Sequence, residues 1–131
     1  MPKWIAFSVG ICCTALALLL PWARYGDTDV SLYRFPAWYV YVAAALAMHG
    51  CVLLDSTAGR VAGAVASCTA AATAVLLLVN PGWATSPFGG TDSPVPAVAA
   101  GSSFGALLAL AGVLINAAAL ALPRRTAPVP T

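Results

Sequence analysis

Four long apolar runs, separated by short polar stretches, dominate the pattern along this 131-residue chain. A helix needs about 20 mostly apolar residues to cross a hydrocarbon core of roughly 30 Å, and each run is close to that length. The pattern predicts transmembrane helices at about 4–20, 36–54, 61–79 and 98–122. Pro36 suits the first turn of the second helix, where its missing N–H costs nothing. Pro21, Pro81 and Pro123 lie at or just beyond helix ends, where proline stops a helix.

The connecting segments are too polar to enter lipid. An outer loop at about 23–35 contains the turn signal Gly26-Asp27-Thr28-Asp29, and we expect it to form a short hairpin or a flap on the membrane surface. A second outer loop at about 80–97 is rich in Pro, Gly, Ser and Thr, and the tail 123–131 is expected to be extended. The tight inner turn at Asp55–Arg60 makes the second and third helices an antiparallel hairpin. Residues 1–131 thus form a single integral membrane domain.

Composition agrees with a membrane environment. Hydrophobic residues make up 61% of the chain and charged residues only 8%, whereas soluble domains carry roughly 25% charged residues. Four acidic and six basic side chains are too few to cover the surface of a globule of this size with charge. Most of that surface must therefore contact lipid or other protein. The net charge of +2 is too small to suggest nucleic acid as a partner, and no basic patch interleaved with aromatic residues is present in the sequence. The predicted fold is all-α, a bundle of four transmembrane helices in contact with membrane lipid.

The distribution of basic residues orients this bundle, because Lys and Arg are enriched on the cytoplasmic side. With the N-terminus inside, the cytoplasmic side holds Lys3, Arg60, Arg124 and Arg125, and the outer side holds Arg24 and Arg34. Both termini are therefore predicted to be cytoplasmic. The first run also has the single Lys and apolar core of a signal peptide, and we expect it to be retained as a signal anchor that forms the first helix.

Small residues at four-residue spacing mark two helix faces that allow close packing in lipid. The third helix carries such a stripe at Gly59, Gly63, Ser67 and Ala70, and the fourth carries a longer one at Gly101, Gly105, Ala109, Gly112 and Asn116. These faces are candidates for packing within the bundle or for binding a partner, and the spacing alone does not choose between the two.

His49, the only histidine, is a candidate intramembrane polar site. Counting helix rise places it roughly 7 Å inside the inner boundary, with Cys12, Cys68 and Asn116 in the same half at about 8–13 Å. Ionisable residues at membrane depth raise a functional hypothesis by default. The favoured interpretation is a neutral His49 hydrogen-bonded to a neighbour. A proton-relay or ligand role, or a metal or haem site, is the alternative.

Catalytic motifs are not evident. The cysteines form no CxxC pair and are expected to be buried free thiols. Asp27 and Asp29 could act as an acid–base pair, but no His or third acid lies near them in sequence, and a solvated turn is expected. No GxSxG elbow or phosphate-binding glycine loop is present. We therefore expect no enzyme activity, no cofactor and no metal.

The run Leu19-Leu20-Pro21-Trp22 closes the first helix and precedes a short polar loop. Together with the Ala-rich helices and the tail PRRTAPVP, it resembles small four-helix membrane proteins of high-GC Gram-positive bacteria, most of which have no assigned activity. The resemblance implies a multi-pass protein of the bacterial plasma membrane. Small multidrug exporters are also four-helix proteins of similar length, but they need a Glu in the first helix, and this chain has no acid there.

These features predict a non-catalytic accessory or assembly subunit of a larger plasma-membrane complex, of the respiratory or cell-envelope type. Its expected partners are other integral membrane subunits. The alternative is a homo-oligomeric small channel or transporter, which needs polar groups along a path across the membrane. A lipid-modifying membrane enzyme is a third hypothesis, supported only by one His and three loop Asp residues.

Overall fold

The computed structural model describes residues 3–54, 56–83 and 100–121, and this part of the chain is mostly helical. Its four α-helices are α1 (Lys3–Leu19), α2 (Trp38–Leu53), α3 (Thr57–Val79) and α4 (Phe104–Ala121). Two short 3-10 turns span Leu32–Arg34 and Pro81–Trp83. Several predicted features lie outside the described residues: Asp55, most of the second outer loop with Asp92, and the tail with Arg124 and Arg125.

The four helices occupy the four predicted segments, with shifted ends. α3 begins at Thr57 because Ser56 caps it: the Ser56 hydroxyl accepts the Gly59 N–H at 3.0 Å. α2 begins only at Trp38, because Ala37 adopts a left-handed conformation (φ 59°, ψ 20°) that cannot continue a right-handed helix. Pro36 therefore precedes the helix instead of lying in its first turn.

A small antiparallel sheet corrects the expectation of an all-α fold. Its strands are β1 (Pro21–Tyr25), β2 (Thr28–Ser31) and β3 (Ala100–Ser102), in the order β2-β1-β3. The segment predicted to be the first outer loop thus forms a hairpin, with Gly26 at φ 58° in its two-residue turn. Residues 100–102 pair with β1 instead of starting the fourth helix, and the Ser103 N–H donates to the Trp22 carbonyl at 3.2 Å. We call the three strands and the 3-10 turn Leu32–Arg34 the sheet cap.

A buried apolar core joins the sheet cap to the helices. Trp22, Val30, Leu32 and Phe35 of the cap region are buried together with Tyr41 and Met48 of α2. The Trp22 indole N–H also donates to the Ala17 carbonyl in the last turn of α1, at 2.7 Å. The cap is therefore fixed to the ends of the helices and is not a separate flap.

The helices pack in the order α1-α4-α3-α2, while α1 and α2 scarcely touch each other. Their outward faces carry large apolar side chains, among them Leu46 on α2, Val61 and Val65 on α3, and Phe104 on α4. Within the described residues, α3 and α4 are each long and apolar enough to cross a membrane. α1 and α2, with 17 and 16 residues, are shorter apolar helices.

Candidate functional site: a polar cluster beside a lateral cleft

His49 lies at the centre of a polar cluster between α1, α2 and α4. Its Nδ1 is 2.6 Å from the Ala45 carbonyl oxygen, which can only accept a hydrogen bond. Nδ1 therefore carries the ring proton, and in the neutral ring Nε2 is the acceptor. The Asn116 side-chain amide donates to this Nε2 at 3.1 Å, and the Thr14 hydroxyl lies 3.3 Å from it.

The partners of His49 are themselves hydrogen-bonded to their own helices. The Thr14 hydroxyl is 3.0 Å from the carbonyl oxygens of both Gly10 and Ile11. The second N–H of the Asn116 amide donates to the Gly112 carbonyl at 3.1 Å. Asn116 Oδ1 is buried and has no hydrogen-bond partner among the described residues. The cluster is thus closed except at this one oxygen.

Two glycines allow this cluster to form by bringing α1 and α4 close together. A Cβ at Gly10 would lie 2.4 Å from Asn116 Nδ2, and a Cβ at Gly112 would lie 2.9 Å from Thr14 Cγ2. At either distance the neighbouring side chain or the helices would have to shift to admit a side chain at the glycine. Each helix therefore places a glycine opposite a polar side chain of the other helix, and this contact holds Thr14 and Asn116 within reach of His49.

The small-residue stripe of α4 lies against α1 and the sheet cap. Gly105, Ala109, Gly112 and Asn116 are all buried within the chain. A Cβ at Gly105 would meet the Pro21 carbonyl oxygen at 2.6 Å. Gly101 does not belong to this face, because it is an exposed residue of β3.

The stripe of α3 is likewise buried within the chain. A Cβ at Gly63 would lie 3.0 Å from a methyl carbon of Leu120 and 3.1 Å from Cβ of Cys51, so this glycine lies between α2 and α4. The Ser67 hydroxyl donates to the Gly63 carbonyl at 2.7 Å. Gly59 instead lies against the Leu54 carbonyl oxygen of the inner turn.

Of the groups expected to share the inner half of the bundle with His49, only Asn116 contacts it. Cys12 and Cys68 are exposed on the outside of their helices, and all four cysteines are free thiols. In the described ranges, no group of three or more His, Cys, Asp or Glu residues is placed to hold a metal ion. Thr14 is the member that the sequence did not reveal. Its only signal was a threonine four residues after Gly10 in an otherwise apolar helix.

A lateral cleft of about 260 Å³ lies between α1 and α2, next to this cluster. Ring contacts bound it at both ends: Trp22 and Tyr41 have centroids 5.0 Å apart near the sheet cap, and Phe7 and His49 have centroids 6.0 Å apart at the other end. The lining is almost entirely apolar and comprises Ile11, Thr14, Ala15, Leu18, Tyr41, Val42, Ala45, Leu46 and His49.

The Tyr41 hydroxyl is the second buried polar atom without a hydrogen-bond partner among the described residues. The residue is fully buried, and its hydroxyl forms no hydrogen bond with any described residue. Leaving such a group unpaired costs about 1–3 kcal/mol. No sequence pattern singles out Tyr41, because its position on the cleft depends on how α1 and α2 are set apart.

The charged groups of the sheet cap form an exposed ion pair. The Arg24 Nε–H donates to Asp29 Oδ1 at 2.8 Å across the hairpin. This hydrogen bond lowers the pKa of Asp29 below its usual value and raises the pKa of Arg24. The side chains are 59% and 49% exposed, so the pair supports the hairpin and is not arranged as a buried acid–base site.

No protein-family model, curated protein or solved structure matches this chain. The function must therefore be inferred from the residues of the chain itself.

Proposed function

We propose that the chain crosses the bacterial plasma membrane four times and serves as a non-catalytic accessory or assembly subunit of a larger membrane complex. Four apolar helices with large apolar side chains on their outward faces support the membrane location. α1 and α2 can span when their ends are extended by the apolar residues Leu20 and Leu54 and when the bilayer thins locally around them.

The observation that carries the subunit role is the sheet cap, a rigid structure that extends beyond the helices. Its exposed surface carries Tyr33 and Arg34, and Trp83 is exposed beside it on the same side of the molecule. Tyr, Trp and Arg are the residues enriched at the energetic centres of protein interfaces. A cap that is anchored through Trp22 presents these side chains without flexible linkage, which favours recognition of another subunit.

Apart from the exposed Gly101, the two stripes of small residues are buried within the chain, which favours a partner surface elsewhere. The cap is the surface that combines a fixed backbone with exposed aromatic and basic side chains. Other integral membrane subunits of a respiratory or cell-envelope complex are the proposed partners. No cofactor is needed for this role.

The test is to solubilise the tagged protein gently from its own cells and to identify what co-purifies by native electrophoresis and mass spectrometry. We expect a fixed set of other membrane subunits at constant stoichiometry. A pure homo-oligomer would overturn the accessory role and favour a channel or transporter.

A matched pair of variants then locates the partner surface. Tyr33→Ala removes a side chain of the cap that is 63% exposed, and Tyr39→Ala removes one of equal exposure in the first turn of α2. We expect Tyr33→Ala to lower co-purification about tenfold or more, as for an interface hot spot, and Tyr39→Ala to leave it unchanged. Equal effects would show that these aromatic residues only anchor the chain at headgroup depth.

A further inference from the structure

The cleft between α1 and α2 is long, narrow and apolar. It follows α2 from Tyr41 to His49, which at the rise of an α-helix is roughly 12 Å. Its volume of about 260 Å³ is below the roughly 300–1,000 Å³ of typical small-molecule pockets. In a chain that crosses the membrane, such a cleft opens sideways to the hydrocarbon. A single hydrocarbon chain fits this shape better than a ring system does.

The polar groups at the two ends of the cleft are not equivalent. At the inner end, His49 Nε2 already accepts from Asn116, and Nδ1 donates to Ala45. That end offers an incoming molecule little beyond the faces of the Phe7 and His49 rings. At the other end, the Tyr41 hydroxyl is buried and lacks a partner among the described residues, so it is a donor without an acceptor.

The depth of Tyr41 indicates what that acceptor is. Tyr41 follows the first residue of α2, Trp38, by three residues, or roughly 4.5 Å of helix. Trp38 belongs to the aromatic residues that favour headgroup depth. One helical turn below the headgroups lies the boundary where the fatty-acid esters of phospholipids meet the hydrocarbon. An ester carbonyl is an acceptor only, which matches the unpaired hydroxyl.

We propose that the cleft binds one acyl chain of a diacyl phospholipid from the leaflet on the side of the sheet cap. The ester carbonyl accepts a hydrogen bond from Tyr41, and the part of the chain next to the ester runs along Val42, Ala45 and Leu46 as far as the Phe7 and His49 rings. This inference rests on the membrane location in the proposed function and is independent of the accessory role.

The first test compares lipids and leaves the protein unchanged. The purified full chain in detergent micelles is mixed with a diester phosphatidylglycerol or with its diether analogue of equal chain length, and bound lipid is measured by native mass spectrometry. The diether lacks the carbonyl acceptor, and we expect it to bind about fivefold more weakly, as for one lost hydrogen bond. Equal binding of the two lipids would overturn the proposal.

Tyr41→Phe removes the hydroxyl from the other side of the same hydrogen bond. We expect this variant to bind the diester about fivefold more weakly and to bind diester and diether equally, because the two changes delete one interaction. A variant that still prefers the diester to the same extent as the original chain would show that Tyr41 is not the donor.

A second pair of variants tests the place of binding. Ala15 is exposed and lines the cleft, so Ala15→Phe fills it. Ala47 is also exposed but lies on α2 outside the cleft, and Ala47→Phe serves as the control. We expect Ala15→Phe to abolish lipid retention and Ala47→Phe to preserve it, with the helical content of both checked by circular dichroism. Equal retention in the two variants would overturn the proposal.

The two proposals fail separately. A chain that binds the diester lipid but co-purifies with no other subunit would lose its accessory role and keep the lipid site. Conversely, if Ala15→Phe released partner subunits while lipid retention stayed unchanged, the cleft would hold a partner helix, and the lipid site would be wrong.

Discussion

Gly10 has no side chain, and the side chain of Asn116 occupies the space that this leaves between α1 and α4. The Asn116 amide fills the volume that a Cβ at Gly10 would need, and from there it reaches His49 Nε2. Hydrogen bonds between membrane helices contribute about 0.6 kcal/mol on average, so the close backbone approach matters at least as much as the polar contact. At the residue scale, the contact between α1 and α4 therefore depends on glycines at least as much as on hydrogen bonds.

The glycine contact gives a prediction with a matched control. Gly10→Ala forces the Cβ against the Asn116 amide, and we expect a loss of about 1–3 kcal/mol of stability, as for other overpacked sites. Gly50 also lies in a helix, but nothing lies within 4 Å of its added Cβ. Gly50→Ala should be neutral or stabilising by up to about 1 kcal/mol. Thermal unfolding in detergent measures both.

The same experiment includes a rescue. Replacing Asn116 by a shorter residue in the Gly10→Ala variant should restore part of the lost stability. The shorter side chain frees the space that the added methyl group needs. If Gly10→Ala proved as harmless as Gly50→Ala, the close packing of α1 on α4 would be contradicted.

At the scale of elements, the apolar runs predicted the four helices and the turn signal predicted the β1–β2 hairpin, but no local pattern predicted β3. Long apolar runs bounded by proline identified the four helices, because length and apolarity are properties of each segment alone. Residues 100–102 lie in an apolar, Ala- and Gly-containing run that looks helical. They form β3 only because β1, more than 70 residues earlier, offers its free edge. Such pairing between distant segments leaves no local pattern to detect.

The β1–β2 hairpin gives a prediction about acid. Because the hydrogen bond from Arg24 lowers the pKa of Asp29, the ion pair supports the hairpin fully above the ordinary aspartate value of 3.8. That support is lost as the pH falls below 3.8, through the lower pKa of the folded chain. We expect the protection of β1 and β2 amides from hydrogen exchange to fall over this range, as measured by NMR or mass spectrometry.

Two asparagine variants separate this ion pair from other carboxylates. Asp29→Asn should lower the protection of the hairpin already at neutral pH and remove its acid dependence. Asp27→Asn leaves the Arg24–Asp29 hydrogen bond in place and should keep the acid response. An unchanged acid response in Asp29→Asn would assign the effect to another group.

At the scale of the whole molecule, the cap and the polar cluster lie at opposite ends of the cleft. Sequence analysis placed His49 and Asn116 at similar depth, because depth follows from counting residues along a helix. Depth alone could not show that His49 and Asn116 face each other or that Cys12 and Cys68 face outward, because angular position depends on how the helices pack. Thr14 and Tyr41 became visible as site residues only in three dimensions.

The proposed four-span topology predicts which side of the membrane each turn faces. In a background without cysteine, Asp27→Cys places a thiol in the exposed turn of the hairpin, and Thr57→Cys places one at the exposed start of α3. Because basic residues favour a cytoplasmic N-terminus, a membrane-impermeant maleimide should label Asp27→Cys in intact cells. It should label Thr57→Cys only after permeabilisation. The reverse pattern, or labelling of both thiols in intact cells, would contradict this topology.

The close pairing of α1 with α4 also has a consequence for biosynthesis. Because translation proceeds from the N-terminus, in the proposed four-span topology α1 enters the membrane before α4, the helix that packs against its Gly10 face, has been synthesised. α2 and α3 can assemble with each other as soon as both have emerged. Until synthesis of α4 is complete, the Gly10 side of α1 and the open side of α3 must remain in contact with lipid, with the insertion machinery or with another nascent chain. Packing of α1 therefore waits for α4, and a ribosome that stalls before residue 104 leaves a chain in which α1 lacks the helix it packs against.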